Sequence, residues 1–346
     1  MKKLLTLGLS LIAFAGLAGC SKKEDIIEYD YDGKGVLVSE IYTSKGGNND
    51  YSSRTDSIYD ENNNLLFEYT YNKENKEWVL EKTIENKYNA SNLITYNKIA
   101  YSDANDLRNS STSYTYGENN LLINKIVTEK DETINTEYLY DSNNNILKEL
   151  TRGPQTYSDM LYTYDENNYL IKKQYLTSSN AGESFDYGFL YEYTNDSNGN
   201  VSSYIYKHWY IEKNDFVDSV KVENTYDFKG LLTKYEEKKY DSSTSEYKES
   251  VVVEYTYDDS RNETSRIKYT YRADIKVYAE FERHTYKYNE NNNMIYEDFA
   301  SYVNDRWDVT SKKTYTYNKD NKLVKKVHEA KGNRKAVTEY KYTYFE

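Results

Sequence analysis

A tyrosine-centred phrase that recurs along the chain limits the possible folds more than any other feature. Tyr162–Leu176 reads YTYDENNYLIKKQYL, and related phrases return about every 28 residues, a period typical of tandem repeats. Repetition of this kind predicts one array of similar units rather than two unrelated domains. The recurring anchor tyrosines are Tyr31, Tyr59, Tyr88, Tyr116, Tyr140, Tyr164, Tyr193, Tyr226, Tyr257, Tyr288, Tyr317 and Tyr342.

Two positions after each anchor predict a tight turn. Asp or Asn usually follows the anchor directly, as in Asp165, and such side chains bond backbone amides ahead of them. Four residues past the anchor stands Asn or Gly, as in Asn168, which enter the left-handed region at least cost. An apolar residue, here Leu170, then restarts a strand. We therefore expect a hairpin with a type I turn and a bulge, and only Ser197 and Arg261 break the left-handed position.

The composition predicts a thin folded sheet. The 346 residues include 43 Tyr, the mean hydropathy is -0.97 and the formal charge is -12. Tyrosine at this density supplies large buried area, which separates the chain from disordered sequences. Positive and negative charges are interspersed without a basic block, so we expect no nucleic-acid partner.

Two strands per unit predict an all-β fold over residues 29–346. The expected structure is an antiparallel meander of about 22–24 strands in a twisted or coiled sheet, on the order of 110 Å around at roughly 4.8 Å per strand. Longer connections are expected at Ser44–Arg54, Thr177–Glu183 and Asp241–Glu246, and an irregular one at Pro154. Whether the sheet is open or closed is not determined at this stage.

Tyrosines two residues apart leave the same face of a strand, which makes them candidate ligand contacts. Repeated on neighbouring strands, they would form ladders about 5 Å apart that stack on sugar rings, unless the rings are the core of the sheet. Aromatics ten residues before the anchor are expected on the anchor's face if the strand is unbroken. The candidate contacts are Tyr162, Tyr164, Tyr255, Tyr257, Tyr286, Tyr288, Tyr315, Tyr317, Trp78 and Trp307.

The N-terminus predicts an export signal. Lys2 and Lys3 precede an apolar run, Leu4–Leu17, which is too short for a permanent membrane helix. The run ends in Leu17, Ala18, Gly19 and Cys20, which resembles the lipobox of bacterial lipoproteins. That resemblance implies a signal peptide at 1–19, lipidation of Cys20 and a charged tether at 20–28. Ser21 and the charged residues that follow imply the outer membrane and its surface, with the periplasmic face as the alternative.

The anchor phrase resembles the YD repeat of the RHS family. YDGKGVL at Tyr31–Leu37 and YDFKGLL at Tyr226–Leu232 match its hairpin directly, whereas most other units carry Asn in place of the glycine. The longer period is more similar to secreted YD-like repeat proteins of Gram-negative surfaces. RHS proteins coil such hairpins into a shell around a toxin; because this sequence ends at YKYTYFE, no enclosed C-terminal toxin is expected.

Residues for catalysis are scarce. Only His208, His284 and His328 are present, and no nucleophile, zinc or nucleotide motif occurs. Runs such as Asp141–Asn145 begin like a calcium loop but lack its later ligands, so they are interpreted as turns. We expect no enzyme, cofactor or metal. The expected partners are a membrane, through acyl chains, and a glycan or an envelope or host protein. The alternatives are a polysaccharide hydrolase with an unseen carboxylate pair and an RHS-like shell.

Overall fold

The computed structural model describes residues 33–45, 51–130, 132–180, 182, 184–332 and 334–345. These residues form 22 β-strands and two single-turn 3₁₀ segments, Glu118–Asn120 and Ile211–Lys213. The first eleven strands are Gly35–Lys45 (β1), Tyr51–Asp60 (β2), Leu65–Glu74 (β3), Glu77–Tyr88 (β4), Ile94–Tyr101 (β5), Ser110–Tyr116 (β6), Leu122–Glu129 (β7), Glu132–Tyr140 (β8), Ile146–Arg152 (β9), Tyr157–Tyr164 (β10) and Leu170–Ser178 (β11). The others are Tyr187–Asn195 (β12), Val201–Tyr210 (β13), Asp215–Tyr226 (β14), Leu232–Asp241 (β15), Glu246–Tyr257 (β16), Glu263–Arg272 (β17), Val277–Tyr288 (β18), Met294–Val303 (β19), Arg306–Tyr317 (β20), Leu323–Ala330 (β21) and Arg334–Phe345 (β22).

The strands form a closed antiparallel meander. Each strand pairs with the next along the chain, and β1 also pairs with β22 over its whole length, from Gly35 opposite Phe345 to Lys45 opposite Lys335. At roughly 4.8 Å per strand, a circular ring of 22 strands is about 34 Å across. The predicted all-β meander is confirmed, and the pairing of β1 with β22 shows that the sheet is closed.

The tight turns lie along one end of the sheet, here called the turn rim. In the β16–β17 turn, the carboxylate of Asp258 accepts a hydrogen bond from the backbone amide of Asn262 at 2.8 Å. Arg261 has a φ of 70°. The register then shifts by one residue between Thr256 and Tyr257. This is the predicted type I turn followed by a bulge. Arg261 therefore occupies the left-handed position although it is neither Asn nor Gly.

The prediction that Ser197 stands at the left-handed position of its turn was wrong. The turn after β12 begins at Asp196, its left-handed residue is Gly199 with a φ of 81°, and the register shift falls at Asn195. Asn195, and not Tyr193, therefore occupies the anchor position of this unit. The nearest tyrosine, Tyr193, lies two residues before that position and on the same face of the strand, which is why it resembles an anchor in the sequence.

A second bulge interrupts the strand that leads to many anchors. In β4, Lys82 pairs with Thr70 but Leu80 pairs with Tyr71, so Glu81 is an extra residue. One inserted residue exchanges the faces of the sheet for everything beyond it. The condition of an unbroken strand is therefore not met, and the aromatic ten residues upstream lies on the face opposite the anchor. The same extra residue occurs at Ser219, Ser250, Phe281 and Thr310.

The other end of the sheet carries the more variable connections and is here called the loop rim. Pro154 lies in the irregular β9–β10 connection, as expected, where Gly153 and Thr156 bond each other's backbone. The expected long connection at Ser44–Arg54 was wrong, because both flanking strands continue and leave only residues 46–50 between them. Because β1 pairs with both β2 and β22, this strand is longer than its Ser-rich sequence suggested.

The two faces of the closed sheet differ in exposure. Along β20, half-buried Tyr315 and Tyr317 alternate with exposed Thr314 and Thr316, so we assign the anchor-tyrosine face as the inner face. Val222, on the inner face of β14, is fully buried. The strand pairs in extensive contact are all neighbours in the sheet. Buried apolar side chains occur on both faces, because Ile58, Leu190 and Val252 on the outer face are also buried.

The predicted leader and lipidation residues, Leu17, Ala18, Gly19 and Cys20, lie outside the described residues. Within the described part of the chain, no helix has the length and apolar character needed to cross a membrane.

Candidate functional site

The hydroxyl groups of many anchor tyrosines bond the backbone of the preceding repeat. Tyr257 donates to the carbonyl of Leu232 at 2.8 Å, Tyr288 to that of Glu263 at 3.0 Å and Tyr317 to that of Met294 at 2.9 Å. Each accepting carbonyl stands at the bulge that follows a tight turn. Burial raises the pKa of Tyr164 and its equivalents, so the hydroxyls stay protonated. These tyrosines therefore link successive repeats and have a structural role.

The second tyrosine row contacts charged side chains on the strands between. Tyr162 donates to Glu149 and Tyr315 to Glu297, and burial together with the carboxylate raises the pKa of both phenols. Arg266 donates to the hydroxyl of Tyr286 at 3.3 Å. The contacted residues stand nine positions after an anchor, a recurring position that the sequence analysis missed.

The predicted ladder with rings about 5 Å apart was wrong for these tyrosines. Tyr255 lies on β16 and Tyr286 on β18, so the returning strand β17 separates them. Rings two strands apart are roughly 9.6 Å from each other, too far for stacking. The prediction placed tyrosine pairs on adjacent strands, whereas the repeat supplies them on every second strand.

Trp78 and Trp307 lie on the outer face, away from the tyrosines. The ammonium group of Lys73 is 4.8 Å from the ring of Trp78, and the guanidinium of Arg283 is 4.8 Å from the ring of Trp307. Trp307 also packs against Tyr302 across the β19–β20 hairpin, with ring centroids 5.1 Å apart. The structure therefore does not bring the two tryptophans together with the tyrosine candidates.

Several adjacent aromatic rings lie together on the inner face of β11, β12 and β13. Tyr191 on β12 lies 5.0 Å from Tyr206 and 5.7 Å from Tyr204 on β13, and 5.8 Å from Tyr193 on its own strand. Phe189 lies 5.1 Å from Tyr175 on β11 and extends the contacts across three strands. We call this group the inner aromatic cluster; its members are Tyr175, Tyr187, Phe189, Tyr191, Tyr193, Tyr204 and Tyr206.

The inner aromatic cluster combines apolar faces with protonated hydroxyls. Burial is the main cause that raises the pKa of Tyr193 to about 12, and the nearby Tyr191 and Tyr204 add to it. Burial likewise raises the pKa of Tyr191 and Tyr206. At neutral pH these phenols are uncharged hydrogen-bond donors and acceptors. Tyr187, at the loop-rim end of the cluster, is 53% exposed and is open to a ligand.

The sequence carried a signal for the cluster. FLYEY at Phe189–Tyr193 and YIY at Tyr204–Tyr206 place alternate aromatics on both strands of one hairpin. Other repeats alternate aromatics on the incoming strand only, as in Tyr315 and Tyr317 opposite Lys326 and Leu323. Tyr191, Tyr204 and Tyr206 are not anchors, so the position that defines the repeat does not single them out.

A polar cleft of about 270 Å³ lies farther round the inner face. It is lined by Tyr255, Arg266, Lys268, Glu282 and His284, with Val253 at its base. Lys268 is 3.6 Å from Glu282, and burial together with Arg266 lowers the pKa of His284. Arg266, the second cation of the lining, is 3.9 Å from the carboxylate of Glu263, so both cations of the cleft have a carboxylate nearby.

The histidines occupy separate positions in the sheet. His284 packs against Phe299 with ring centroids 4.9 Å apart, and His328 bonds the hydroxyl of Ser311 at 2.8 Å. Within the described residues, no group of three or more His, Cys, Asp or Glu side chains is arranged to hold a metal ion.

Comparison with known proteins gives weak structural similarity only. No family model and no curated protein matches this sequence. A protein of unknown function from Bacteroides fragilis is 14% identical, with a TM-score of 0.28, over 37% of this chain and 88% of that chain. A porin-like protein from Bacteroides uniformis is 10% identical, with a TM-score of 0.30, over 89% and 96%. The TcdB2-TccC3-Cdc42 structure, in which TccC3 is an RHS/YD-repeat protein, is 12% identical, with a TM-score of 0.26, over 81% of this chain and 19% of that chain. At these TM-scores the similarities assign neither a family nor a function.

Proposed function

We propose that this chain is a lipid-anchored, surface-exposed, non-catalytic binding protein that recognises carbohydrate through the inner aromatic cluster. The observation that carries the proposal is the unbroken contact of aromatic rings over β11, β12 and β13, with ring centroids 5.0–6.5 Å apart. Of the tyrosines that the sequence singled out, Tyr286 stacks on His284, which packs on Phe299, but that group covers only β18 and β19.

The chemistry of the cluster suits a sugar. The C–H face of a pyranose ring is apolar and packs on an aromatic ring, while its hydroxyl groups need hydrogen-bond partners around the edge. Tyrosine supplies both, and the raised pKa values of Tyr191, Tyr193 and Tyr206 keep the partners neutral. Because Tyr187 is exposed at one end, a saccharide can reach the cluster without separating the other rings.

A titration of the purified protein with neutral oligosaccharides, followed by tyrosine and tryptophan fluorescence, tests the proposal. Saturable quenching is expected, and Tyr187→Ala should weaken it at least tenfold, equivalent to about 1.4 kcal/mol. Tyr187 is already exposed, so the substitution should leave stability nearly unchanged. Phe228→Ala is the matched control, since Phe228 is an aromatic residue that is 94% exposed in a turn. Unchanged affinity in Tyr187→Ala would contradict the proposal.

A second measurement on the same samples distinguishes a hydrolase from a binding protein. A binding protein leaves the oligosaccharides intact, whereas a hydrolase shortens them with turnover. Product analysis after prolonged incubation with any saccharide that quenches fluorescence therefore distinguishes the two functions. Shortened products would replace the binding proposal by a catalytic one.

Enclosure of a guest, as in an RHS-like shell, is a second candidate that the closure of β1 on β22 favours. An enclosed interior admits small reagents and excludes large ones. In a Cys20→Ser background, Tyr255→Cys reports on the inner face and Thr256→Cys on the outer face of the same strand. Enclosure predicts that a polymer-linked maleimide modifies Thr256→Cys alone, while a small maleimide modifies both. Equal reaction with the large reagent would exclude a sealed shell.

A further inference from the structure

A lysine and a histidine border the inner aromatic cluster. Lys173 on β11 lies directly opposite Tyr191 and stands two residues from Tyr175 on the same face of the strand. His208 on β13 lies directly opposite Phe189. Nitrogen-bearing side chains therefore stand beside the rings that the proposed function assigns to a saccharide, Lys173 towards the turn rim and His208 towards the loop rim.

Lys173 has no carboxylate within salt-bridge distance among the described residues. Its ammonium group lies 5.6 Å from the ring centre of Tyr162, a cation–π contact that keeps the side chain on the inner face. By contrast, Lys268 on the inner face of β17 is 3.6 Å from the carboxylate of Glu282. The charge of Lys173 is therefore available to a ligand.

The inner face around Lys173 carries no acidic residue over five strands. On the flanking strands, Glu149 of β9 accepts a hydrogen bond from Tyr162 at 2.5 Å, and Glu237 of β15 accepts one from Tyr235 at 3.1 Å. The carboxylates that border this part of the inner face are therefore bonded to phenols, and the part itself has a net positive charge. The inner-face residues without Asp or Glu lie in β10 to β14, within 158–164, 170–177, 187–195, 201–208 and 217–226.

Acidic residues of the adjoining connections lie at the rims, away from Lys173. Lys173 is three residues from the turn-rim end of β11 and five from its loop-rim end, about 10 and 16 Å at 3.3 Å per residue. Asp165 in the turn accepts bonds from backbone amides of that turn, and Asp186 at the loop rim accepts bonds from Ser179. Both distances exceed the screening length of about 8 Å at physiological salt, so the charge of Lys173 dominates beside the rings.

We propose that the saccharide bound by the inner aromatic cluster is acidic, with a carboxylate or sulfate group paired to Lys173. The inference rests on the proposed function, because it requires a sugar ring to pack on the aromatic side chains. With that ring on Tyr175 and Tyr191, a charged group at its edge is within reach of the long, flexible lysine side chain. The rings hold neutral and acidic sugars alike, and the ion pair selects the acidic ones.

Matched ligand pairs test the charge of the saccharide. The purified protein is titrated with an oligogalacturonate and with its methyl ester, which has the same rings and length but no charge, and fluorescence is followed. A sulfated oligosaccharide and its desulfated form make the second pair. We expect the acidic member of at least one pair to bind at least tenfold more tightly, and the ratio to shrink as salt is raised. The pair that shows the preference identifies the acidic group. Equal affinity within both pairs would overturn the proposal.

Variants at Lys173 test whether this residue causes the preference. Lys173→Gln should reduce the acidic-to-neutral affinity ratio to about threefold or less, whereas Lys173→Arg keeps the charge and should keep most of the ratio. Lys125→Gln is the matched control, because Lys125 lies opposite Tyr114 on the inner face of β7 as Lys173 lies opposite Tyr162, but outside the cluster. It should keep the full ratio. A full ratio in Lys173→Gln would contradict the proposal.

Failure of this inference and failure of the proposed function give different results. If both members of each pair bind equally and Tyr187→Ala weakens both, the carbohydrate site stands and its acidic ligand is rejected. If no saccharide, neutral or acidic, quenches fluorescence, both proposals are rejected.

Discussion

Replacing one anchor tyrosine by phenylalanine isolates the bond that connects successive repeats. Tyr257→Phe keeps the ring but removes the hydroxyl that donates to the carbonyl of Leu232 at 2.8 Å. The net contribution of a hydrogen bond to the free energy of unfolding is about 0.5–1.5 kcal/mol, and a carbonyl left without its partner in a partly buried site costs about 1–3 kcal/mol. Because the bond is only part-buried, we expect a loss of about 1–2 kcal/mol in the free energy of unfolding.

Urea denaturation followed by fluorescence measures this loss, with equal m-values as the condition for comparing midpoints. Tyr302→Phe is the control, since the Tyr302 ring packs on Trp307 at 5.1 Å and its hydroxyl bonds no described residue. It should change stability by less than about 0.5 kcal/mol. Tyr116→Phe, far from Tyr257, should add to Tyr257→Phe. The reasoning is refuted if Tyr257→Phe costs no more than Tyr302→Phe.

Three further predictions concern single positions of the repeat. Glu263→Leu should stabilise the protein by about 1 kcal/mol in urea titrations at neutral pH, because burial raises the pKa of this carboxyl at a position that is apolar in most repeats. Asn292→Ala should cost about 1 kcal/mol and Asn292→Gly almost nothing, since Asn292 has a φ of 59°; equal midpoints would contradict the assignment. Bonds from Asn145 and nearby amides lower the pKa of Asp141, as similar bonds do for Asp196 and Asp258, so their stabilising effect is complete above the unfolded pKa and is lost as the pH falls below about 4. Asp141→Asn should reduce that dependence in urea midpoints measured against pH.

Local chemistry made the hairpins predictable. The turn at Asp258 follows from side-chain and backbone preferences within five residues, and those preferences recur in the sequence. The bulges in the incoming strands were not predictable in the same way. No single residue type marks the extra position, which is occupied by Glu81, Ser219, Ser250, Phe281 and Thr310. The outer position of Trp78 and Trp307 therefore had no signal in residue type.

Long-range strand pairing and side-chain contacts also could not be predicted from the sequence. Closure depends on β1 meeting β22 about 300 residues later in the chain, and a periodic pattern is the same for an open and a closed array. The sequence predicted contacts between same-face tyrosine rings but not their position. Same-face tyrosines do form ring contacts, but at Tyr191 and Tyr206 rather than at Tyr255 and Tyr286, because only the β12–β13 hairpin carries alternate aromatics on both strands.

The pairing of β1 with β22 has a consequence for solubility. An open sheet ends in strands whose backbone amides and carbonyls are free to recruit another chain, and proteins usually protect such strands with charges, prolines or short length. In the described residues every strand has a partner on both sides. Long strands rich in tyrosine and threonine, such as Arg306–Tyr317, are therefore tolerated without those protections. Loss of the β1–β22 contact would expose two long unpaired strands at once, and intermolecular aggregation would be the expected result.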